Sequence, residues 1–124
     1  TGLSATSHPV EFLRERLDAL GAVSSDGLAT VEPGARVLVG GIVTHRQRPA
    51  TAGGTTFLSL EDETGIVNVI CPPGVWARYR RAARTSVALL VRGRLERAEG
   101  VTNVIAEQLH QFRTDFVIRS RDFH

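Results

Sequence analysis

The feature that most constrains this chain is the order of its short apolar runs: five read as strands, and one helix-like run lies between the third and the fourth. Arg36–His45 (RVLVGGIVTH), Thr55–Glu61 (TTFLSLE), Ile66–Cys71 (IVNVIC), Val87–Glu96 (VALLVRGRLE) and Val101–Leu109 (VTNVIAEQL) are rich in β-branched residues and separated by turn signals. Pro73–Thr85 (PGVWARYRRAART) has helical spacing instead. Val75, Trp76, Tyr79 and Ala83 fall on one stripe, with Arg78, Arg81 and Arg84 largely off it. Five strands in this order can close into a small barrel, and a helix at that point would plug its open end with Trp76.

Alternation within the runs assigns faces. In the first strand Val37, Val39, Gly41 and Val43 share one side, and Leu38, Gly40, Ile42 and Thr44 the other. The Gly40-Gly41 pair permits the sharp coil by which one strand serves both halves of a barrel. The second strand is expected to turn Thr56, Leu58 and Leu60 inward and Phe57 and Ser59 outward. The third turns Val67 and Val69 inward with Asn68 outward. Arg46–Gly54 (RQRPATAGG) reads as a polar loop, Glu61–Gly65 (EDETG) as a tight hairpin turn and Arg97–Gly100 (RAEG) as another. The fold class is therefore all-β with one capping helix: a five-stranded OB-fold barrel preceded by a helical connector. Residues 1–34 form that connector, with a helix over Val10–Leu20 stopped by Gly21 and a Ser/Gly/Asp-rich link after it. Residues 35–112 form the barrel and 113–124 a tail without periodicity.

Composition narrows the function classes. At 124 residues the chain has room for one domain and a flank. No apolar run approaches the ~20 residues of a membrane span, and residues 1–10 lack the pattern of a signal peptide. The single cysteine, Cys71, excludes an internal disulfide and fits a reducing cytoplasm. The absence of Met and the start at Thr1 point to a piece of a longer protein. All 15 basic residues are arginine, whose guanidinium forks grip phosphate and stack on bases. The net charge is only +2, but no acid lies between Glu63 and Glu96, whereas Arg78, Arg80, Arg81, Arg84, Arg92 and Arg94 do.

OB barrels mostly bind single-stranded nucleic acid or oligosaccharide across the wall beside their first long loop. The candidate nucleic-acid-binding residues follow from that. Arg46 and Arg48 enter the loop and could clamp phosphates, or be simply solvated. Phe57 faces outward as a stacking platform, or packs under the connector or the loop. Asn68 beside it could hydrogen-bond a base edge or a sugar, or be simply solvated. Arg92 and Arg94 share a face of the fourth strand and Arg97 begins the next turn. The three extend a groove, or pair with Glu96, Glu99 or Glu107. The helix arginines read as a solvated face away from the binding wall. No catalytic or metal site is expected: the histidines are scattered, Cys71 has no CxxC partner, and Glu61, Asp62 and Glu63 diverge from a solvated turn.

Val39–Pro49 (VGGIVTHRQRP), Phe57–Cys71 (FLSLEDETGIVNVIC), Val75–Arg80 (VWARYR) and Leu90–Gly100 (LVRGRLERAEG) together resemble the C-terminal OB domain of bacterial C-family DNA polymerases, the alpha subunits of DNA polymerase III and their error-prone paralogues. Thr1–Pro9 (TGLSATSHP) is similar to the segment leading out of that family's helix-hairpin-helix region, and Ser120–Phe123 (SRDF) to the end of the error-prone branch. The resemblance implies a parent DNA-directed DNA polymerase of damage tolerance and induced mutagenesis, cytoplasmic and nucleoid-associated. Its catalytic palm lies outside this chain, so the chain itself is not an enzyme. The implied partners are single-stranded template DNA and other domains of the parent; the alternative is a protein-interaction module that docks a partner of the mutagenesis complex instead, such as a catalytically inactive Y-family-like protein. No cofactor and no membrane are implied. Against the family pattern, the first loop carries two charges, both at its start, and no lysine.

Overall fold

The computed structural model describes residues 17–50 and 53–112. Five strands form in the expected order: β1 (Arg36–Gln47), β2 (Thr56–Asp62), β3 (Gly65–Cys71), β4 (Ala88–Ala98) and β5 (Val101–Gln111). They close into a barrel in the order β1-β2-β3-β5-β4. Every neighbouring pair is antiparallel except β3 and β5. Between β3 and β4 the expected single helix is two short ones, α1 (Pro73–Arg78) and α2 (Arg80–Thr85), broken at Tyr79 with φ −111° and ψ 27°. The Tyr79 ring leans on His110 of β5 in an edge-to-face contact with centroids 5.5 Å apart.

The alternation read from the sequence produces the core. Val37, Val39, Leu58, Leu60, Val67, Val69, Val91, Leu95, Val104 and Leu109 fill the barrel, and Trp76 and Ala83 close it from the helices. Burying such side chains supplies about 1.5–3 kcal/mol each, the main driving force for closure. Cys71 is fully buried among them. Burial pushes its thiol up to about 11, so at neutral pH it is a small apolar side chain and no nucleophile.

Closure rests on β1. Arg36–Ile42 pair with β4, Ile42–Gln47 pair with β2, and Ile42 belongs to both ladders. The bend between the two halves passes through Gly41, where a Cβ would lie 2.5 Å from the carbonyl oxygen of Glu61. Only glycine lets the two backbones come this close.

The other face of β1 is also covered. Leu38 and Ile42 pack, with Leu90, against a second cluster of Leu17, Ala22, Ala88 and Phe112. Residues 17–19 are helical and Gly21, at φ 82°, ends them. The remainder of the expected Val10–Leu20 helix and the tail from residue 113 lie outside the described residues.

The β2–β3 turn is not the simple solvated turn expected from its charge. Asp62 is buried, and its carboxylate accepts from the backbone N–H of Ser25 (2.6 Å), of Thr64 (2.8 Å) and of Gly65 (3.0 Å), and from the Thr64 hydroxyl (2.8 Å). It thereby stitches the link at Ser25 onto the barrel. Asp62→Ala would leave those donors short of an acceptor and should lower the unfolding free energy by about 3 kcal/mol, measured by urea denaturation.

Candidate nucleic-acid interface

Two adjoining surfaces carry the candidate residues. The first is the outer wall of β2, β3 and β5. Cross-strand register places Gln47, Phe57, Ile70, Ile105 and Arg94 in one row, and His45, Ser59, Asn68, Asn103 and Glu96 in the next. Phe57 is 38% exposed, enough to offer an edge or a face to a base, and Asn68 is exposed on the neighbouring strand. Asn103, absent from the candidates chosen by sequence, faces Asn68 across the parallel pair, so two side-chain amides stand together at the middle of the wall. The signal for it is period-two spacing within Val101–Ile105, which puts it on the face opposite Val104; the parallel β3–β5 pairing, which sequence does not reveal, brings it beside Asn68.

The second surface lies where the end of β1 meets the helices. A β-bulge between Val43 and His45 shifts the register by one residue. His45 therefore sits opposite outward Ser59, and Arg46 sits opposite inward Leu58. A bulge reverses the faces of everything after it. Arg46 consequently turns toward the barrel end and donates from Nε to the Ala83 carbonyl (2.8 Å) and from Nη2 to the Ser86 carbonyl (2.6 Å). These carbonyls at the end of α2 have no intrahelical donor of their own. Burial pulls the Arg46 pKa down from its ordinary value. Arg46 is thus primarily an anchor between β1 and α2.

Arg48 is exposed just beyond the strand. With Arg46, Gln47, Thr56, Trp76 and Arg84 it lines an open cleft of about 240 Å³. The helix arginines are therefore not remote from the loop arginines, as the sequence suggested: Arg84 shares a cleft with Arg46 and Arg48. Arg84 also lines a second cleft with Arg80, Arg81 and Thr85, which makes the basic surface continuous along α2.

The remaining candidates divide. Arg92 is exposed on β4, flanked by Leu38 and Gln108. Arg94 is exposed too, and its Nη2 lies 3.9 Å from Glu107, which also pairs with Arg36 at 3.4 Å. Exposed pairs like these contribute ~0–1 kcal/mol and leave the arginine available to a stronger acceptor. Arg97 is committed elsewhere: Nη2 donates to the carbonyls of Leu28 (3.0 Å) and Val31 (3.1 Å), and Nε to the Thr102 hydroxyl (3.3 Å). It ties the link to the barrel as Asp62 does. Among the described residues no group of three or more His, Cys, Asp or Glu is placed to hold a metal ion, and no helix is long and apolar enough to cross a membrane.

Comparison with known proteins agrees with this geometry. A family model described as an OB-fold nucleic acid binding domain matches residues 37–111. Over 123 residues the chain is 58% identical to an error-prone DNA polymerase of Nocardia farcinica and 54% identical to one of Mycobacterium tuberculosis, covering 99% of this chain and 11% of each relative. The chain thus spans about a tenth of the length of these curated relatives. Among solved structures it is similar to asparaginyl-tRNA synthetase from Pyrococcus horikoshii, with TM-score 0.57, 26% identity and coverage of 72% of this chain and 22% of that one. It also shares its fold with a chain of the S. pombe Stn1-ten1 complex, at TM-score 0.55 and 16% identity over 71% of this chain and 65% of that one.

Because Arg46 satisfies two carbonyls at once, Arg46→Ala should cost about 2 kcal/mol of stability by thermal or chemical melts, and Arg46→Lys should recover little of it. Cys71 should react with a thiol reagent at pH 8 only after unfolding. Its raised folded-state pKa also means that stability falls as pH rises from about 9 to about 11. Over that interval the unfolded chain holds fewer protons than the native one.

Proposed function

Because the chain belongs to the OB-fold nucleic acid binding domain family, we infer that it is the barrel by which an error-prone DNA polymerase holds its single-stranded template, in a parent protein that serves damage tolerance and induced mutagenesis. The observation that carries this reading is the outer wall. Exposed Phe57 offers a stacking surface, Asn68 and Asn103 offer paired amides beside it, Gln47 and Arg94 flank the Phe57 row, and exposed Arg48 follows Gln47 just beyond the strand. Stacking is indifferent to base identity, and amides at the wall centre donate and accept alike, so the chemistry suits a template of any sequence. The identity to error-prone polymerases supports the parent assignment. Polymerisation itself is the work of other parts of that parent, and this chain positions the strand.

A second reading has its own observation. Ile66 is 51% exposed and Val101 49% exposed, on the outer face of β3 and β5 two residues before Asn68 and Asn103. An exposed apolar pair of this kind also suits a protein partner of the polymerase assembly, such as a Y-family-like protein.

Fluorescence anisotropy of a labelled oligo-dT strand separates the two. On the first reading the folded chain binds weakly, without base preference, and log affinity falls linearly with log salt, by a slope of about 0.7 per phosphate contacted. Phe57→Ala should lose about 1–3 kcal/mol of affinity with the slope unchanged, because stacking releases no counterions. No binding at low salt by a chain shown to be folded would favour the protein-docking reading.

A further inference from the structure

The cleft between the end of β1 and α2 has three properties that the outer wall does not explain. Three guanidinium-bearing residues, Arg46, Arg48 and Arg84, line it, and none of its lining residues is acidic. Thr56, also in its lining, is 1% exposed, and its Oγ1 has no hydrogen-bond partner among the described residues. Finally, Arg84 continues the basic surface into the neighbouring cleft of Arg80, Arg81 and Thr85.

Converging cations without a carboxylate repel one another, and a buried hydroxyl without a partner carries an unrecovered desolvation cost. One ligand relieves both: an anion with several acceptor oxygens. Arg46 uses two of the five N–H donors of a guanidinium on Ala83 and Ser86, which leaves its Nη1 group for such a ligand. At about 240 Å³ the cleft exceeds the share of one water, roughly 30 Å³, several times over, so a phosphate and part of its sugar fit.

We propose that this cleft seats an internal phosphodiester of the single-stranded DNA, gripped by Arg48 and Arg84, and that the strand passes from the Phe57 wall through it onto the Arg80–Arg81 face of α2. The assignment rests on the DNA-binding reading above and adds a path to it. The phosphate is internal because the surface does not end at the cleft: Phe57 lies opposite Gln47 on one side, and the Arg80 cleft lies on the other. The wall supplies stacking and amides, and the cleft supplies the charge that the wall lacks.

The experiment is oligo-dT binding by the intact chain across a salt series, with circular dichroism confirming the fold of each variant. Arg84→Ala should weaken low-salt binding about tenfold and reduce the salt slope by about 0.7. Arg36→Ala, an equal loss of charge outside the cleft, should leave both nearly unchanged. Thr56→Val should weaken binding several-fold while the melting temperature holds or rises, since it removes an unpaired buried hydroxyl. A merely structural Thr56 would shift stability and leave binding alone. If Arg84→Ala behaves like Arg36→Ala while Phe57→Ala still loses affinity, the cleft assignment is overturned and wall binding stands. If the unaltered chain does not bind, both fall. An oligomer with a 5′ phosphate that binds about tenfold tighter than its hydroxyl twin would overturn the internal assignment.

Discussion

One strand with two partners holds this molecule together. β1 pairs with β4 through Arg36–Ile42 and with β2 through Ile42–Gln47, and without that double pairing the five strands would form an open sheet with two bare edges. The bend needs Gly41, whose missing Cβ lets the Glu61 backbone approach. The bulge that follows sets the phase of the strand's last residues. It sends Arg46 toward the carbonyls of Ala83 and Ser86 at the end of α2, and it leaves Gln47 beside Phe57 on the outside. A single irregularity therefore locks the helical cap to the barrel and brings the loop arginines to the helix.

The surface that results separates two kinds of chemistry. The wall of β2, β3 and β5 is apolar and amide-bearing, with Phe57, Ile70, Ile105, Asn68 and Asn103, and its charges come as nearly balanced Arg and Glu. The end of β1 and the face of α2 carry arginine with no acid in the clefts they line. A single strand of nucleic acid has the same division, with bases on one side and phosphates on the other. The link from Ala22 to Ala35 belongs to neither surface. It is fixed to the barrel by Asp62 and Arg97, two charged side chains spent on backbone groups.

Most of the architecture was legible in the sequence because it is periodic. Two-residue alternation separated the two faces of the first strand and turned Thr56, Leu58, Leu60, Val67 and Val69 inward, and the break to helical spacing located the cap. What could not be read was set by contacts between segments distant in the chain. Arg46 and Arg97 look like free loop cations until the carbonyls of Ala83, Ser86, Leu28 and Val31 are brought to them. Asp62 looks like one of three solvated acids until Ser25 is folded over it. The bulge near Thr44 leaves no mark in composition, and the sequence ends the strand at His45, so Arg46 reads as a loop cation remote from Arg84, whereas β1 runs on to Gln47 and pairs Arg46 with Leu58. The one available hint was the acid-free interval from Glu63 to Glu96, which placed α2 inside a basic field before its neighbours were known.

The central claim is that a DNA strand lies across the β2–β3–β5 wall beside the basic cleft. A backbone-amide NMR titration of the chain with oligo-dT tests it directly, because each residue reports separately. The account predicts progressive shifts at Phe57, Asn68 and Asn103 together with Arg48 and Arg84, and little change around the second apolar cluster near Leu38 and Ala88. Shifts confined to that opposite side, or a spectrum unmoved by the oligomer at low salt, would contradict it.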